Sequence, residues 1–123
     1  MGHQSSELCS ILGDALSQIS RKRNLLLVAS SDLSHYHPYQ EALVLDKHVV
    51  DSIEQFDIRS WISEFEAENL EACGGGPIAA VMSATKQLGA NEAKVLHYCN
   101  SGDTSGDLSG VVGYLAAAFI REN

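Results

Sequence analysis

The chain is poor in positive charge: 8 lysines and arginines face 16 aspartates and glutamates among 123 residues, a formal net charge of -8. That shortage leaves no basic face for a phosphate backbone, so nucleic acid is not an expected partner. Cysteine is scarce as well. Cys9, Cys73 and Cys99 are odd in number, widely separated and without a CxxC spacing. No disulfide framework is implied, and a reducing, cytoplasmic compartment is the expectation. No apolar run approaches the roughly 20 residues of a membrane-spanning helix, and no leader pattern opens the sequence, so no membrane association is expected. Internal repeats and low-complexity tracts are absent. What remains is 45% hydrophobic, enough for a core in one small domain or in a piece of a larger one.

The stretch around which the rest is organised is Leu25-Leu26-Leu27-Val28-Ala29, followed by Ser30-Ser31-Asp32-Leu33-Ser34-His35-Tyr36-His37-Pro38. Five apolar residues in a row predict a strand buried on both faces, as in a parallel or mixed sheet covered by helices. In open α/β folds ligands bind in the crevice beyond the carboxyl ends of the strands. Ser30, Ser31, Asp32, Ser34, His35 and His37 are delivered there, and Asp, Ser and His are the side chains that proton transfer or metal binding requires. The competing reading is a polar loop that caps the next helix.

Ahead of this stretch, Ser5 or Ser6 caps a predicted helix to about Ile19, with Leu8, Ile11, Leu12, Ala15 and Ile19 as its apolar stripe. Pro38 suits the first turn of a second helix reaching about Phe56. Its expected inner face is Ala42, Leu45, Val49, Ile53 and Phe56, while Asp46 can turn either toward the site loop or away. Asp57 to Asn69 reads as a shorter helix anchored by Trp61, Ile62 and Phe65. Glu71-Ala72-Cys73-Gly74-Gly75-Gly76-Pro77-Ile78 then leads into a helix from about Pro77 to Leu88. Three glycines there permit close approach of a ligand, and the helix end offers free N–H groups and partial positive charge. The Lys-Ser/Thr of a P-loop and the GxGxxG spacing are both missing, so no nucleotide is expected. A flexible connector is the competing reading. Ala93 to Cys99 is a predicted strand with Val95, Leu96 and Tyr98 as packing residues. Asn100 to Asp107 is turn chemistry, and Val111 to about Ala117 is the last strand. The expected fold is α/β, a mixed sheet flanked by helices.

Gly2-His3-Gln4-Ser5, Val28 to Tyr36, Ala72 to Ile78, Tyr98-Cys99-Asn100-Ser101-Gly102-Asp103 and Ser109 to Tyr114 together resemble the Memo family, also called the protein B component of the AmmeMemoRadiSam system. The resemblance covers essentially the whole chain. It implies a fold similar to class III extradiol dioxygenases and a pocket of histidines and a cysteine linked to copper or iron and to redox chemistry. Residues 1–123 would be the C-terminal half of such an α/β domain. By motif match Cys73 is the pocket cysteine, with His35 and Asp32 lining the same cavity. His35 and Cys73 are then the expected metal ligands, His37 a further candidate, and Asp32 orients His35.

Two rival functions stay open. One is a non-catalytic module that grips a peptide or a protein partner of a radical-SAM system. The other is a hydrolase in which His35 serves as base to a nucleophilic Cys73. Three apolar strands and few helices predict an uncovered sheet surface. The chain is therefore expected to form a homo-oligomer, to dock onto a separate N-terminal half, or to aggregate.

Overall fold

The computed structural model describes residues 1–123. Its elements run α1 (Ser6–Ser20), β1 (His35–His37), α2 (Tyr39–Gln55), α3 (Ile58–Glu66), α4 (Gly75–Gln87), β2 (Glu92–Asn100), α5 (Ser101–Ser105) and β3 (Val111–Ile120). The architecture is α/β. The sheet has three strands in the order β1-β3-β2, and both pairings are antiparallel. Helix α2 packs on β2 and β3, while α4 is flanked by α1 and α3. No helix is long and apolar enough to cross a membrane.

The helices start where their caps dictate. Ser5 Oγ accepts the Leu8 N–H at 3.4 Å, and the Asp57 carboxylate accepts from Arg59 and Ser60. Both fill donors that the first turn of a helix leaves free. Helix α2 ends at Phe56, in the left-handed region at φ 50°, and its ring stacks on Phe119 at 4.9 Å. Trp61 is fully buried, and its Nε1–H donates to the Gly75 carbonyl at 3.0 Å. That bond satisfies the one polar atom of the largest core side chain and ties α3 to the start of α4.

Three expectations are corrected. Leu25–Ala29 belongs to no strand, and Leu26 and Val28 are 90% and 74% exposed. A strand exists only where a neighbour takes up its backbone groups, and no other strand pairs with this segment. The sheet is accordingly antiparallel rather than mixed. The apolar stripe of α1 also faces outward: Leu8, Ile11 and Ile19 are exposed, and Cys9, Gly13 and Ser17 are buried instead. Small side chains let α1 approach α4 closely. A Cβ on Gly13 would stand 2.9 Å from the Ser83 Cβ, and the Ser17 hydroxyl meets Gln87 Oε1 at 2.8 Å.

On α2, Asp46 takes the inner position expected of Leu45 and is buried with Ala42, Val49 and Ile53. On β2, Val95 and Tyr98 pack against the core, but a register shift between Val95 and His97 leaves Leu96 65% exposed.

Candidate functional site

Two loops build the site, and each is pinned to the other. In the first, Leu33 donates its N–H to the Gly113 carbonyl at 2.9 Å, and Gly113 donates back to Ser34 O at 3.0 Å. The Ser34 N–H donates to Asp46 Oδ1 at 2.9 Å, and the Tyr98 hydroxyl donates to Asp46 Oδ2 at 2.6 Å. Asp46 and Ser34 are both wholly buried. Burial, and then the Asp46 carboxylate, push the Tyr98 hydroxyl far above its ordinary pKa. Gly113 is required here because a Cβ at that position would run into the Asp46 carboxylate.

The second loop joins α3 to α4 and carries Cys73. The Cys73 N–H donates to Asp32 O at 3.2 Å, and the Asp32 N–H points back at Cys73 Sγ, also at 3.2 Å. Gly74 N–H donates to Ser31 Oγ at 2.8 Å. Gln4 adds a clamp from the chain's first residues: its Nε2 donates to Cys73 O at 3.0 Å, and its Oε1 accepts from Gly76 N–H at 2.7 Å. These bonds answer the question raised by the glycine run. The Gly74 and Gly76 donors are taken by the Ser31 and Gln4 side chains and the Gly75 donor by the Ala72 carbonyl, so α4 does not present a free anion-binding end.

This bracing brings Asp32, His35 and Cys73 together. Their ligand atoms all lie within 4.8 Å of one another, a group of three that could hold a metal ion. The His35 Nε2 stands 3.6 Å from Asp32 Oδ2, longer than a hydrogen bond. The two side chains are 40% and 49% exposed, and Cys73 is exposed too. The site is therefore an open surface cluster, not a closed cavity.

His37, the further candidate, is not in this group. Its Nε2 pairs with Glu71 Oε2 at 2.9 Å and its Nδ1 with Glu41 Oε1 at 3.3 Å. The hydrogen bond to Glu71 is the main cause that raises its pKa. The two histidines diverge because Tyr36 between them sits at φ 62° and the β1–β3 register shifts there, a bulge that re-aims the neighbouring side chains.

Sequence reasoning puts Ser31 in the site loop and Gln4 in a family-like motif but gives neither its bracing role, and it misses the pairing of Glu71 with His37. Glutamine and serine carry no periodic signal, and only the pairing of two distant loops gives them work. Asp46 did carry one, since a carboxylate on the apolar side of a helix needs a buried partner.

A family model described as Memo-like protein matches residues 1–118. Among curated relatives, the chain is 42% identical over 117 residues to a MEMO1 family protein of Nitrosopumilus maritimus, covering 95% of this chain and 42% of the relative. It is 40% identical over 118 residues to a MEMO1 family protein of Methanosarcina mazei, covering 94% and 44%. A MEMO1 family protein of Methanopyrus kandleri is 40% identical over 112 residues, covering 89% and 40%. The chain thus spans less than half the length of these relatives. With the family model matched over almost the whole sequence, the chain belongs to the Memo family.

Proposed function

We propose that Asp32, His35 and Cys73 hold a copper(I) or iron(II) ion and that the domain serves redox or oxygenase-type chemistry there. One observation carries the reading: three donors of different chemistry, from two loops 38 positions apart at His35 and Cys73, converge within 4.8 Å. The donor set fits. Bonds of about 2.0–2.3 Å in tetrahedral geometry separate donors by about 3.5 Å, and rotation of the exposed His35 and Asp32 side chains covers the difference. A soft thiolate with an imidazole suits copper(I), and a carboxylate beside them suits iron(II). When bound, such an ion supplies electron transfer or Lewis acidity.

The chain's own groups do the holding. The Asp32 N–H points at Cys73 Sγ at 3.2 Å and fixes the position of the sulfur. The reciprocal bonds between the two loops keep Sγ and imidazole facing one gap. Three protein donors leave a position open to solvent or substrate. The likeness of the sequence motifs to a family with an extradiol-dioxygenase-like fold supports oxygen as co-substrate.

Anaerobic titration of the 123-residue chain with Cu(I) and with Fe(II), beside Cys73→Ser, His35→Ala and Asp32→Asn, tests the reading. Each substitution should weaken binding at least about tenfold. Affinity should also drop as pH falls, because protons compete for thiolate and imidazole. Equal affinity in all four proteins would sink the proposal. The half-exposed donors favour a second reading, a non-catalytic module that grips a peptide or a radical-SAM system partner. Oxygen consumption or catechol cleavage by the metal-loaded chain separates the two.

A further inference from the structure

We infer that Tyr36 is a contact residue for the molecule bound at the three-donor site, a platform on which the flat face of an aromatic or conjugated ring rests. The inference builds on the metal reading of Asp32, His35 and Cys73. It names the class of ligand for that site: a planar ring carrying a polar group that reaches the donors.

Tyr36 combines two costs that its own chain does not offset. Its backbone lies in the left-handed region at φ 62°, where a bulky L side chain is a rare outlier. It is also 79% exposed, so no packing into the core holds the ring in place. The kink has a reason of its own, since the register shift between His35 and His37 sends the two imidazoles into different surroundings. Glycine or asparagine makes such a bulge at lower cost. The kink therefore accounts for the backbone and leaves the phenol ring unexplained. Single exposed aromatics are common and mean little by themselves. One held at a strained position is different, because such residues gather where ligands are gripped.

The place of the ring supplies the rest. Its centroid stands 5.9 Å from that of His35, with the two planes 35° apart. Aromatic pairs prefer to stack or to meet edge-on at separations of about 4.5–7 Å. This pair does neither, so the Tyr36 face is not taken up by the imidazole. His35 is itself 40% exposed on the same open surface. A ring whose polar group enters the open position beside His35 comes within stacking reach of Tyr36. Asp32 and Cys73, the other exposed donors, offer it no aromatic face. An aliphatic chain would touch only part of the phenol, whereas a second ring covers it.

The test loads the full 123-residue chain with Fe(II) anaerobically and titrates it with two probes sharing one metal-binding head. Benzohydroxamate carries a ring and acetohydroxamate a methyl group. Native chain, Tyr36→Phe, Tyr36→Gly and Tyr36→Asn are compared. The native chain should hold benzohydroxamate the more tightly. Tyr36→Gly and Tyr36→Asn should weaken that probe about three- to tenfold and leave acetohydroxamate and Fe(II) affinity unchanged. Tyr36→Phe should behave as the native chain. Without metal, Tyr36→Gly and Tyr36→Asn should melt about 2–4 °C higher, because the left-handed strain is relieved. A ring that serves the fold would instead lower the melting temperature in both variants, and that result overturns the inference. So does an equal effect on the two probes, or none. Failure of the native chain to bind Fe(II) overturns the metal reading and this inference with it, whereas intact Fe(II) binding with no preference for the ring overturns this inference alone.

Discussion

Replacing Asp46 with alanine removes the acceptor for two donors at once, the Ser34 N–H at 2.9 Å and the Tyr98 hydroxyl at 2.6 Å. Ser34 is wholly buried and Tyr98 partly so, and water cannot readily replace the carboxylate. A buried donor left without a partner costs about 1–3 kcal/mol. Removing a buried charge returns part of that, so the net loss should be about 2–4 kcal/mol. That is a large share of the roughly 5–15 kcal/mol that holds a domain together. With a urea slope of about 2 kcal/mol per molar, the unfolding midpoint should fall by about 1–2 M.

Tyr98→Phe should give a smaller drop, and the double variant should be less than additive by about 1 kcal/mol, because both changes break one network. Gly113→Ala reaches the same network from the sheet, since its Cβ meets the carboxylate. It should cost about 1–3 kcal/mol in the native background and much less once Asp46 is alanine. A midpoint shift under about 0.3 M for Asp46→Ala, or full additivity in the cycles, would refute the claim that this carboxylate anchors the site loop.

Two further outcomes are expected. The raised pKa of His37 means that its pairing with Glu71 and Glu41 contributes stability that is complete below its ordinary value of about 6.5 and is lost as pH rises through the raised, folded value. Urea midpoints across pH 5 to 9 should show that decline in the native chain and not in His37→Ala; parallel profiles would dismiss it. Iodoacetamide should modify the exposed Cys73 before the half-buried Cys99, and the buried Cys9, whose pKa burial pushes up, last of all. Mass spectrometry of a time course reads the order directly, and early loss of the Cys9 thiol would contradict the packing of α1 on α4.

Much of this fold is legible in the sequence because helices are local. Ser5, Pro38 and Asp57 mark starts, and the bounds of α1 and α2 follow from caps and period to within a residue or two. Strands are not local. Leu25–Ala29 has the composition of one, but its hydrogen bonds would have to come from elsewhere in space. The same limit hides β1, three residues long and bulged at Tyr36. Periodicity finds the apolar stripe of α1 but cannot say that Gly13 lets a different face lie closer to α4.

Motifs name Asp32, His35 and Cys73 in advance. Their mutual approach is a matter of two loops pairing, and the bonds that enforce it run through backbone groups and through Gln4 and Ser31, whose partners no motif names.

The left-handed Tyr36 has one more consequence. In an unbroken strand, residues two apart share a face, and His35 and His37 would be rivals for the same surroundings. Instead Val111 and Val112, neighbours in β3, face His37 and His35 across an inserted residue. One imidazole looks toward the three-donor gap, and the other is gripped by two glutamates. A backbone kink that costs about 1–3 kcal/mol therefore gives two histidines, one residue apart, separate surroundings: Asp32 and Cys73 for His35, Glu41 and Glu71 for His37. Acidifying the medium would place a positive charge on His37 between its two glutamates, with Tyr36 alone holding that ring apart from His35.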